Sequence, residues 1–545
     1  MPDAGASKSK SNDYDFDILV VGGGLAGLYS VYRFRKMGLS IKVLEAGDGV
    51  GGTWFWNRYP GCRCDVESME YSYSFSEELQ QEWKWSNRFS AQPEILKYAN
   101  YVSQKFDLRS NIVFNTRVTS AQYNAETKKW LIKTNANFIY SAKFFILATG
   151  TLSSVIEPKF PGISSFNGDT YITGKWPKTP ISFKGKNVGI IGTGSSAVQS
   201  IPVIAKEAKS LTVFQRSANY SIPANNRSLT NAEVKKFKEN YPSIRAKARS
   251  SQSGIASAKP GEIGAFDVTD SERKQSFEKN WNNEEGNNFN LLSLYNDIRL
   301  NEKANNELAN FVRGKIQSIV KNPETAELLS PKDAIGCKRT CLDTNYFETF
   351  NRNNVSLIDV NSNPIIKITK EGLQTADKSH QFDTIIFATG FDAMTGAILS
   401  INIEGKSGST LKNKWKNGPV TFLGLSMNNF PNLFTITGPG SPSVLSNMIT
   451  SIEQHVEWIT DCITFMNESN LSEIEATESS EKEWTTHVAE IAEDSPMRFA
   501  CNSWYLGANI PGKTRVFMPY AGGIPKYIEK CNEVSSKDYQ GFNLS

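Results

Sequence analysis

The chain contains two similar units in which an apolar run leads into a glycine-rich loop and then into a helix-like segment. In the first unit, FDILVV is followed by GGGLAG, which supplies Gly22, Gly24 and Gly27, and then by LYSVYRFRKMG. A second apolar run, IKVLEA, brings Glu45 at about the 20-residue spacing of a ribose-binding acid. Glycines let a backbone approach a pyrophosphate, a helix N-terminus favours its charge, and the acid accepts a hydrogen bond from a ribose hydroxyl. The first unit therefore predicts a dinucleotide site.

The second unit repeats this order, with one difference after its second strand. VGII leads into GTGSSA, then into the helix-like VQSIPVIAKEA and the strand-like LTVFQRS. The loop residues are Gly192, Thr193, Gly194, Ser195, Ser196 and Ala197. Where the first unit has an acid, this unit has Arg216 and Ser217. A carboxylate would repel a 2′-phosphate, whereas a guanidinium binds it with two hydrogen bonds, so the pattern favours NADPH over NADH.

The segment after Glu45 indicates that the first nucleotide is FAD. It reads GDGVGGTWFWNRYPGCRCDVESMEYSYSF, with a second glycine pair followed by aromatic residues, and it resembles the segment that covers FAD in flavoproteins. ILATG and IIFATG are apolar strands ending in Ala-Thr-Gly, as is typical of oxidoreductases with two dinucleotides. Two nucleotide units in one chain imply hydride transfer from NADPH to FAD. We expect an α/β fold with two Rossmann-like domains, one for FAD and one for NADPH.

A different pattern occupies the region from about residue 219 to residue 331, which has the periodicity of helices joined by polar connectors. Thr230 with Glu233, and Thr269 with Glu272, have the spacing of capping boxes. SSQSGIASAKPGEIG has the composition of a loop. We expect a helical insertion here.

Composition and charge limit the number of domains, the kinds of partner and the location that we expect for this chain. A chain of 545 residues with 39% hydrophobic residues predicts two or three domains, and its net charge of +4 is too small to indicate nucleic acid. No apolar run is long enough to span a membrane, and the polar start lacks a signal-peptide core, so we expect a cytoplasmic protein, a monomer or weak oligomer. The seven cysteines are odd in number and scattered, which indicates a reducing compartment. Three isolated histidines show no metal-ligand spacing.

Several motifs together resemble the type I Baeyer–Villiger monooxygenases. FNGDTYITGKWP lies between the two loops, and the order GxGxxG, FxGxxxHxxxWP, GxGxxA is that family's fingerprint, with Ile172 at the histidine position. GTWFWNRYPGCRCDVES, KRTCLDTNYFETFNRNNV, ATGFDAMTGA, GPGSPSVLSNMITSIEQHVEWI and SWYLGANIPGK are similar to further family blocks. The resemblance covers nearly the whole chain after the first residues. It implies an FAD- and NADPH-dependent enzyme that uses O2 to convert a small ketone into an ester or lactone.

The resemblance also implies domain boundaries. Before them, the polar composition of the first residues predicts a disordered tail at residues 1–14. The FAD domain would be discontinuous, over residues 15–150 and 390–545. The NADPH domain would comprise residues 151–218 and 332–389, interrupted by the helical insertion at residues 219–331.

Site residues follow from the same matched motifs. Asp65 in RCD and Arg339 in CKRT correspond to the family's active-site acid and catalytic arginine, and Lys338 helps Arg216 and Ser217 to hold the 2′-phosphate. Trp504 corresponds to a tryptophan on a mobile loop that closes over the nicotinamide nucleotide. The flavin would be held by Glu45, Thr53, Trp54, Asp65, Tyr71, Val118 and Met448, besides the glycines of the first loop. No metal is implied.

The chemistry implied is attack of a flavin C4a-peroxide on the ketone and rearrangement of the resulting Criegee-type adduct. A permanent cation favours the peroxide anion and stabilises the oxyanion of the adduct, and a carboxylate can position that cation. Arg339 and Asp65 would serve these two functions. SPSVLSNM resembles a segment that lines the substrate pocket in members acting on aryl or linear ketones, and cyclic ketones remain open.

Three other functions stay open at this stage. A related flavin monooxygenase would oxygenate amines or sulfides, but it would not need a cation beside the peroxide. Isoleucine cannot hydrogen-bond or titrate, so Ile172 raises the hypothesis of an uncoupled NADPH oxidase that releases hydrogen peroxide. A flavin-binding protein without oxygenase activity is the third. A disulfide reductase is disfavoured because the chain lacks a CxxC motif.

Overall fold

A computed structural model describes residues 15–283 and 288–545, so the predicted disordered tail at residues 1–14 lies outside the described residues. The α-helices are α1 (Leu25–Lys36), α2 (Thr53–Trp56), α3 (Glu77–Glu82), α4 (Gln92–Lys105), α5 (Ser195–Glu207), α6 (Asn231–Glu239), α7 (Tyr241–Ser250), α8 (Asp270–Trp281), α9 (Glu302–Ile319), α10 (Pro323–Leu329), α11 (Tyr346–Thr349), α12 (Gly396–Leu399), α13 (Leu411–Lys414), α14 (Met448–Glu468), α15 (Glu478–Glu493) and α16 (Ile524–Ser536). Short 3-10 helices lie at Arg109–Asn111, Ile163–Ser165, Thr173–Lys175, Asn288–Ser293, Ser443–Leu445, Pro496–Phe499 and Trp504–Leu506.

The strands belong to several sheets. They are β1 (Phe16–Val21), β2 (Ile41–Leu44), β3 (Ile112–Val113), β4 (Val118–Asn124), β5 (Lys129–Thr134), β6 (Ile139–Leu147), β7 (Asp169–Ile172), β8 (Asn187–Ile191), β9 (Ser210–Gln215), β10 (Ser221–Pro223), β11 (Cys341–Asp343), β12 (Val355–Asp359), β13 (Ile365–Thr369), β14 (Gly372–Thr375), β15 (Ser379–Gln381), β16 (Thr384–Phe387), β17 (Asn402–Glu404), β18 (Leu433–Thr435), β19 (Ile474–Ala476) and β20 (Phe542–Leu544).

The first large sheet has the order β17-β4-β5-β6-β1-β2-β3, with β18 also paired to β6. β3, β2, β1 and β6 are mutually parallel, whereas β4 and β5 form an antiparallel meander that joins β6. Alternate residues of β1 face opposite sides: Ile18 and Val20 pack in the main core, and Leu19 packs in a second apolar cluster. The predicted first strand and its glycine-rich loop therefore lie at the centre of this sheet.

The second sheet has the order β12-β9-β8-β16-β7, and all its strands are parallel. β8 and β9 flank α5 in sequence, as the second glycine-rich unit predicts. β16 is the IIFATG strand, and it lies beside β8, so its Ala-Thr-Gly end adjoins the second loop. The predicted α/β fold with two Rossmann-like nucleotide units is confirmed.

Helices α6 to α10 lie in the predicted insertion. Both capping boxes are formed: the hydroxyls of Thr230 and Thr269 accept from the backbone N–H groups of Glu233 and Glu272, and each glutamate accepts a return bond. Residues 251–264 form a loop, as expected. The domain boundaries stay a prediction. In the described part of the chain, no helix combines the length and apolarity needed to span a bilayer.

One pair of cysteines departs from the pattern expected of a reducing compartment. Cys337 and Cys501 form a disulfide with their Cα atoms 6.1 Å apart, across 164 residues of sequence. The other five, Cys62, Cys64, Cys341, Cys462 and Cys531, are free and buried. Spacing could not reveal the pair because its two loops meet only in the folded chain.

Candidate active site

The first glycine-rich loop joins β1 to α1. Gly22 has φ +107°, and a Cβ at this position would lie 2.4 Å from the carbonyl oxygen of Ala148, the alanine of ILATG. Gly27 packs on the same turn, where a Cβ would lie 2.0 Å from the Gly22 oxygen. Gly24 precedes α1 and provides no side-chain cap. The N–H groups of the first turn therefore have no side-chain partner from the N-cap residue, which suits a phosphate.

Glu45 lies immediately after β2, beside this loop. The N–H of Gly23 donates to Oε2 and the N–H of Gly47 donates to Oε1, each at 2.6 Å. Burial raises the pKa of the Glu45 carboxyl, and the two N–H donors partly oppose that rise. The carboxylate is thus fixed next to the glycine turn, where a ribose-binding acid is needed.

The second glycine pair packs directly on the first loop. Gly52 precedes α2 with φ +54°, and a Cβ there would lie 2.8 Å from Cα of Gly24. Thr53 and Trp54 begin α2, and Trp54 Nε1 donates to the Tyr71 hydroxyl at 3.1 Å. Burial, with a smaller contribution from Cys64, raises the pKa of the Tyr71 hydroxyl. Three predicted flavin residues therefore adjoin the loop in one packed group.

Asp65 and Arg339 form an ion pair across the chain. Arg339 Nε donates to Oδ2 of Asp65 at 2.8 Å, and Nη2 lies 2.7 Å from the same oxygen. Nη1 donates to the Val444 carbonyl at 2.8 Å. The Tyr505 hydroxyl also hydrogen-bonds with the guanidinium. Burial favours the neutral form of Arg339, but Asp65 and Tyr505 outweigh it, and the pKa of Arg339 is raised. The side chains stay 25% (Asp65) and 29% (Arg339) exposed, so a small molecule can reach the pair.

The segment with Trp504 lies against this ion pair. Trp504 and Tyr505 begin a 3-10 helix, and their rings lie 4.2 Å apart between centroids. Tyr505 is also 6.0 Å from the Phe517 ring. The apolar cluster around Tyr505, which we call the loop cluster, comprises Ala393, Met394, Val444, Ala492, Tyr505, Leu506, Phe517 and Met518. Met448, at the start of α14, and Trp504 pack against it, so residues predicted for the two nucleotides meet there.

The second glycine-rich loop repeats the geometry of the first. Gly192 has φ +116°, and a Cβ there would lie 2.6 Å from the Ala388 oxygen, in the Ala-Thr-Gly that follows β16. Gly194 precedes α5 and provides no side-chain cap, and a Cβ there would meet no atom within 4 Å. Ala197 is buried beneath this turn. The open space and the uncapped helix start fit a pyrophosphate.

The polar residues of this loop contact neighbouring segments. The Thr193 hydroxyl donates to the Ser217 carbonyl at 2.8 Å. Ser195 Oγ lies 3.2 Å from the Cys341 sulfur, and Ser196 hydrogen-bonds with the Tyr59 hydroxyl. The loop is therefore fixed to three other parts of the chain.

Lys338 and Arg339 lie just before β11, which pairs with β10, the strand that follows Arg216 and Ser217 in the chain. The Asn219 amide donates to the Arg339 carbonyl at 3.2 Å, and the β10–β11 pairing continues the contact. Lys338 Nζ is 2.6 Å from Asp333 Oδ2. Arg216 takes part in no ion pair among residues 15–283 and 288–545. The cations predicted for the 2′-phosphate thus lie on adjacent segments, with the Arg216 guanidinium available.

The start of α5 is fitted to the segment that ends at Asp65. A Cβ at Gly61 would lie 2.1 Å from the Gln199 carbonyl oxygen. The Gln199 side chain accepts from the Tyr59 hydroxyl at 3.0 Å and donates to the Arg63 carbonyl at 3.1 Å. The helix of the second nucleotide unit therefore contacts residues 59–63, which lie just before Asp65 and which we call the flavin segment.

The fingerprint stretch forms the edge of the second sheet, which the sequence did not indicate. Ile172 ends β7 and pairs with Phe387 of β16. It is half-buried and packs against an apolar cluster that includes Phe387. Gly168 is required, because a Cβ there would lie 2.6 Å from the Phe166 ring. The position of the missing histidine is thus filled by an isoleucine that packs against an apolar cluster rich in phenylalanine.

Val118 and Tyr505 differ from what the sequence motifs indicated. Val118 begins β4 and packs its side chain in the second apolar cluster, so only its backbone could serve a nucleotide. Tyr505 and the Val444 carbonyl were missed by sequence reasoning, although Tyr505 adjoins Trp504 in SWYLGANIPGK and that adjacency was the available signal.

Comparisons with known proteins agree with this geometry. A family model described as pyridine nucleotide-disulphide oxidoreductase matches residues 19–270. Over 536 residues the chain is 41% identical to cyclohexanone 1,2-monooxygenase of an Acinetobacter species, covering 98% of this chain and 97% of that protein. It is 40% identical to a Baeyer–Villiger monooxygenase of Pseudooceanicola batsensis, covering 97% and 96%. The crystal structure of OTEMO with FAD and NADP aligns at a TM-score of 0.94 and 37% identity, covering 98% of this chain and 100% of that chain.

Proposed function

The chain belongs to the type I Baeyer–Villiger monooxygenases, and from that membership we propose that Arg339 and Asp65 are the residues on which its ketone chemistry depends. The enzyme uses FAD, NADPH and O2 to convert a small ketone into an ester or lactone. The observation that supports the roles of the two residues is the ion pair itself. Asp65 accepts a hydrogen bond from Nε of Arg339 and pairs with its Nη2, which fixes the orientation of the guanidinium beside the loop cluster.

The two uncapped helix starts are where we place the cofactors. FAD would lie on Gly22, Gly24 and Gly27, with its ribose on Glu45 and its ring system near Trp54, Tyr71 and Met448. NADPH would lie on the loop from Gly192 to Ala197, with its 2′-phosphate on Arg216, Ser217 and Lys338. When bound, these cofactors supply the reducing equivalents and the flavin-activated oxygen. Lys338 would exchange Asp333 for the phosphate, a stronger acceptor.

Arg339 acts as a permanent cation. Its raised pKa keeps it protonated at every working pH, so it can stabilise negative charge that develops on the reacting oxygens. Since Nε, Nη1 and Nη2 are already oriented by Asp65 and Val444, little reorganisation is needed during the reaction. Asp65 is thus a positioning group, and Arg339 is the catalytic one.

Replacing Arg339 tests this assignment. Arg339→Ala should abolish ester formation while NADPH oxidation continues, because the glycine-rich loops are unchanged. The measurement is mass spectrometry of products from phenylacetone and a panel of cyclic ketones, with isotopically heavy O2, alongside NADPH absorbance. Arg339→Lys is the matched control: it restores the charge without the fork that fits Asp65, so only partial recovery is expected. An Ala variant that still forms labelled ester would overturn the role of Arg339.

An uncoupled NADPH oxidase is the second candidate, because Ile172 stands at the histidine position. Its packing in an apolar cluster, with Gly168 and buried Trp176 in place, supports a well-formed fingerprint strand. We therefore infer that oxygen transfer survives and that coupling is reduced.

The substrate we propose is an apolar ketone. The surface beside Arg339 is formed by the loop cluster, with Leu445, Met448 and Trp504 packed against it. These side chains offer little to a charged substrate. The same panel of ketones, compared by kcat/KM, distinguishes aryl and linear ketones from cyclic ones.

We also infer that the protein is a monomer or weak oligomer and that it is cytoplasmic. Five free buried cysteines suit a reducing compartment. Light scattering of the purified holoenzyme measures its mass directly, and fractionation of the source cells locates it.

A further inference from the structure

The disulfide joins the two segments that meet at Arg339. Cys337 stands two positions before Arg339, and Cys501 stands three positions before Trp504. Both cysteines are buried, at 1% and 6% exposure. The bond therefore connects the arginine segment to the loop that places Tyr505 on its guanidinium.

Without this bond, few contacts attach the start of that loop to the rest of the protein. Arg515 holds residues 499–502 to a later part of the same loop: it donates to the carbonyls of Phe499 and Cys501, at 2.7 and 2.9 Å, and to the Asn502 side chain. Those contacts are internal to the segment from 499 to 515. Three contacts reach beyond the loop from its later part: Lys513 pairs with Asp392, the Asn509 amide donates to the Phe391 carbonyl at 2.9 Å, and the Thr514 hydroxyl donates to the Lys416 carbonyl at 3.3 Å. The Cys337–Cys501 bond is the covalent link between this loop and the segment of Arg339.

The other cysteines indicate that this disulfide is not a general stabilising device. Five of the seven are free, although they are also buried. In a chain that keeps its thiols reduced, an isolated disulfide is more often a redox-responsive one. Its position beside a functional loop, and not between two rigid elements of the core, agrees with that behaviour.

We propose that Cys337 and Cys501 form a reversible dithiol–disulfide site that holds the loop of residues 499–515 over Arg339 when oxidised and releases it when reduced. Oxidation by a peroxide joins the two sulfurs and loses two protons and two electrons, which convert H2O2 into two molecules of water. Reduction by a small dithiol transfers two electrons to the S–S bond, returns both thiols and leaves the dithiol as its own disulfide. Release would separate Tyr505 and Trp504 from Arg339 and loosen the cover of the nucleotide.

The first experiment tests whether the disulfide forms and breaks reversibly in the folded protein. The FAD-loaded protein is treated with hydrogen peroxide or with dithiothreitol, denatured, alkylated with iodoacetamide and analysed by intact mass. We expect five alkylated cysteines after peroxide, because five are free in the folded protein, and seven after dithiothreitol, because the chain has seven. Seven labels in both samples would overturn the proposal.

The second experiment uses limited trypsin digestion of the same samples to measure how accessible the backbone of the loop is. Arg498, Lys513 and Arg515 provide cleavage sites within or beside it. Reduction should raise cleavage there by about tenfold, with cleavage elsewhere unchanged, because opening a restrained loop exposes its backbone. The variants Cys337→Ser and Cys501→Ser, and the double variant, should each be cleaved as fast as the reduced wild type. Dithiothreitol should not change their cleavage. Cys531→Ser, at a free buried cysteine, should respond as the wild type does. Equal cleavage of oxidised and reduced protein would overturn the proposal.

The third readout is catalytic, and only this one depends on the role proposed for Arg339. Reduction and the serine variants should increase the hydrogen peroxide released per NADPH and raise the KM for NADPH. If Arg339→Ala showed Arg339 to be dispensable, the label count and the digestion would still decide whether the switch exists.

Discussion

At the scale of single residues, Arg339 is oriented by groups from three distant parts of the chain. Asp65 precedes it by 274 positions, and Val444 follows it by 105. Tyr505 adds a hydroxyl from the loop. Since Asp65 contacts Nε and Nη2, Val444 contacts Nη1 and Tyr505 adds its hydroxyl, the position of the guanidinium depends on all three segments.

Removing one of these contacts should be measurable in oxygen transfer. Tyr505→Phe keeps the ring and its packing on Phe517 and loses only the hydroxyl. A hydrogen bond to a charged group contributes about 1.5–3 kcal/mol, so kcat for ester formation should fall by about ten- to a hundredfold while NADPH oxidation persists. Product analysis beside NADPH consumption measures both. Tyr140→Phe, on β6, removes a hydroxyl from the first sheet and should change neither rate.

Ile172 is a second residue whose replacement is informative. Ile172→His should lower the hydrogen peroxide released per NADPH, because it restores the hydrogen-bonding group of the fingerprint. It should also lower the free energy of unfolding by about 1–2 kcal/mol, since the polar imidazole would pack against an apolar cluster. Peroxide assays and thermal unfolding check the two effects. Ile172→Leu keeps the packing and should leave peroxide release unchanged; equal release from both variants would show that the chain compensates for the substitution elsewhere.

At the scale of elements, α5 has two functions. Its N-terminus begins at the second glycine-rich loop, and its side carries Gln199 against the segment that ends at Asp65. A shift of this helix would therefore move the NADPH loop and the flavin segment together.

Gly61→Ala tests that contact. The new Cβ would lie 2.1 Å from the Gln199 carbonyl oxygen, so α5 has to move. We expect a loss of roughly 3 kcal/mol in the free energy of unfolding and a higher KM for NADPH. Gly185→Ala is the matched control, because Gly185 also has positive φ (+75°) but no atom within 4 Å of the new Cβ. It should lose only about 1 kcal/mol, and similar losses for the two variants would contradict the contact.

The local elements could be predicted from the sequence, but the long-range contacts between them could not. The two strand–loop–helix units, the two capping boxes and the loop after α7 follow from periodicity and from glycine and threonine positions near in sequence. β7 was not predicted, because FNGDTYITGKWP lacks a strand-like apolar run and its pairing partner, β16, lies more than 200 positions away. The pairing of Cys337 with Cys501 and the contact of Tyr505 with Arg339 also depend on long-range folding. Only the family motifs indicated that Asp65 and Arg339 act together.

At the scale of the whole molecule, the second sheet and the insertion meet at the short β10–β11 ladder. Asp343 ends β11, where its carboxylate accepts from the Ser221 hydroxyl at 2.5 Å and from the Tyr346 N–H at 3.1 Å. Burial raises the pKa of Asp343 from 3.8 to about 6. The folded protein thus binds this proton more tightly than the unfolded chain does.

The raised pKa predicts a pH dependence of global stability. The contribution of Asp343 is fully present below about pH 4 and is lost as pH rises through about 6. Asp343→Asn removes the charge; its Oδ1 can still accept from the Tyr346 N–H, while its Nδ2 donates to the Ser221 hydroxyl. The free energy of unfolding of the variant relative to wild type should therefore rise by roughly 2–3 kcal/mol between these pH values. Thermal unfolding of both holoenzymes across this range measures it. Asp377→Asn, at an exposed turn, should show no such rise, and a flat difference for Asp343→Asn would mean that the carboxyl is not protonated in the folded state.

The three-part anchoring of Arg339 has a consequence for recombining this enzyme with its relatives. A crossover placed anywhere between Asp65 and Tyr505 takes the guanidinium from one parent and at least one of its anchors from another. Such hybrids would inherit intact nucleotide loops and still misplace the arginine. Libraries built by exchanging whole segments should therefore transfer the surroundings of positions 65, 339, 444 and 505 as one set, and shuffle sequence freely only outside it.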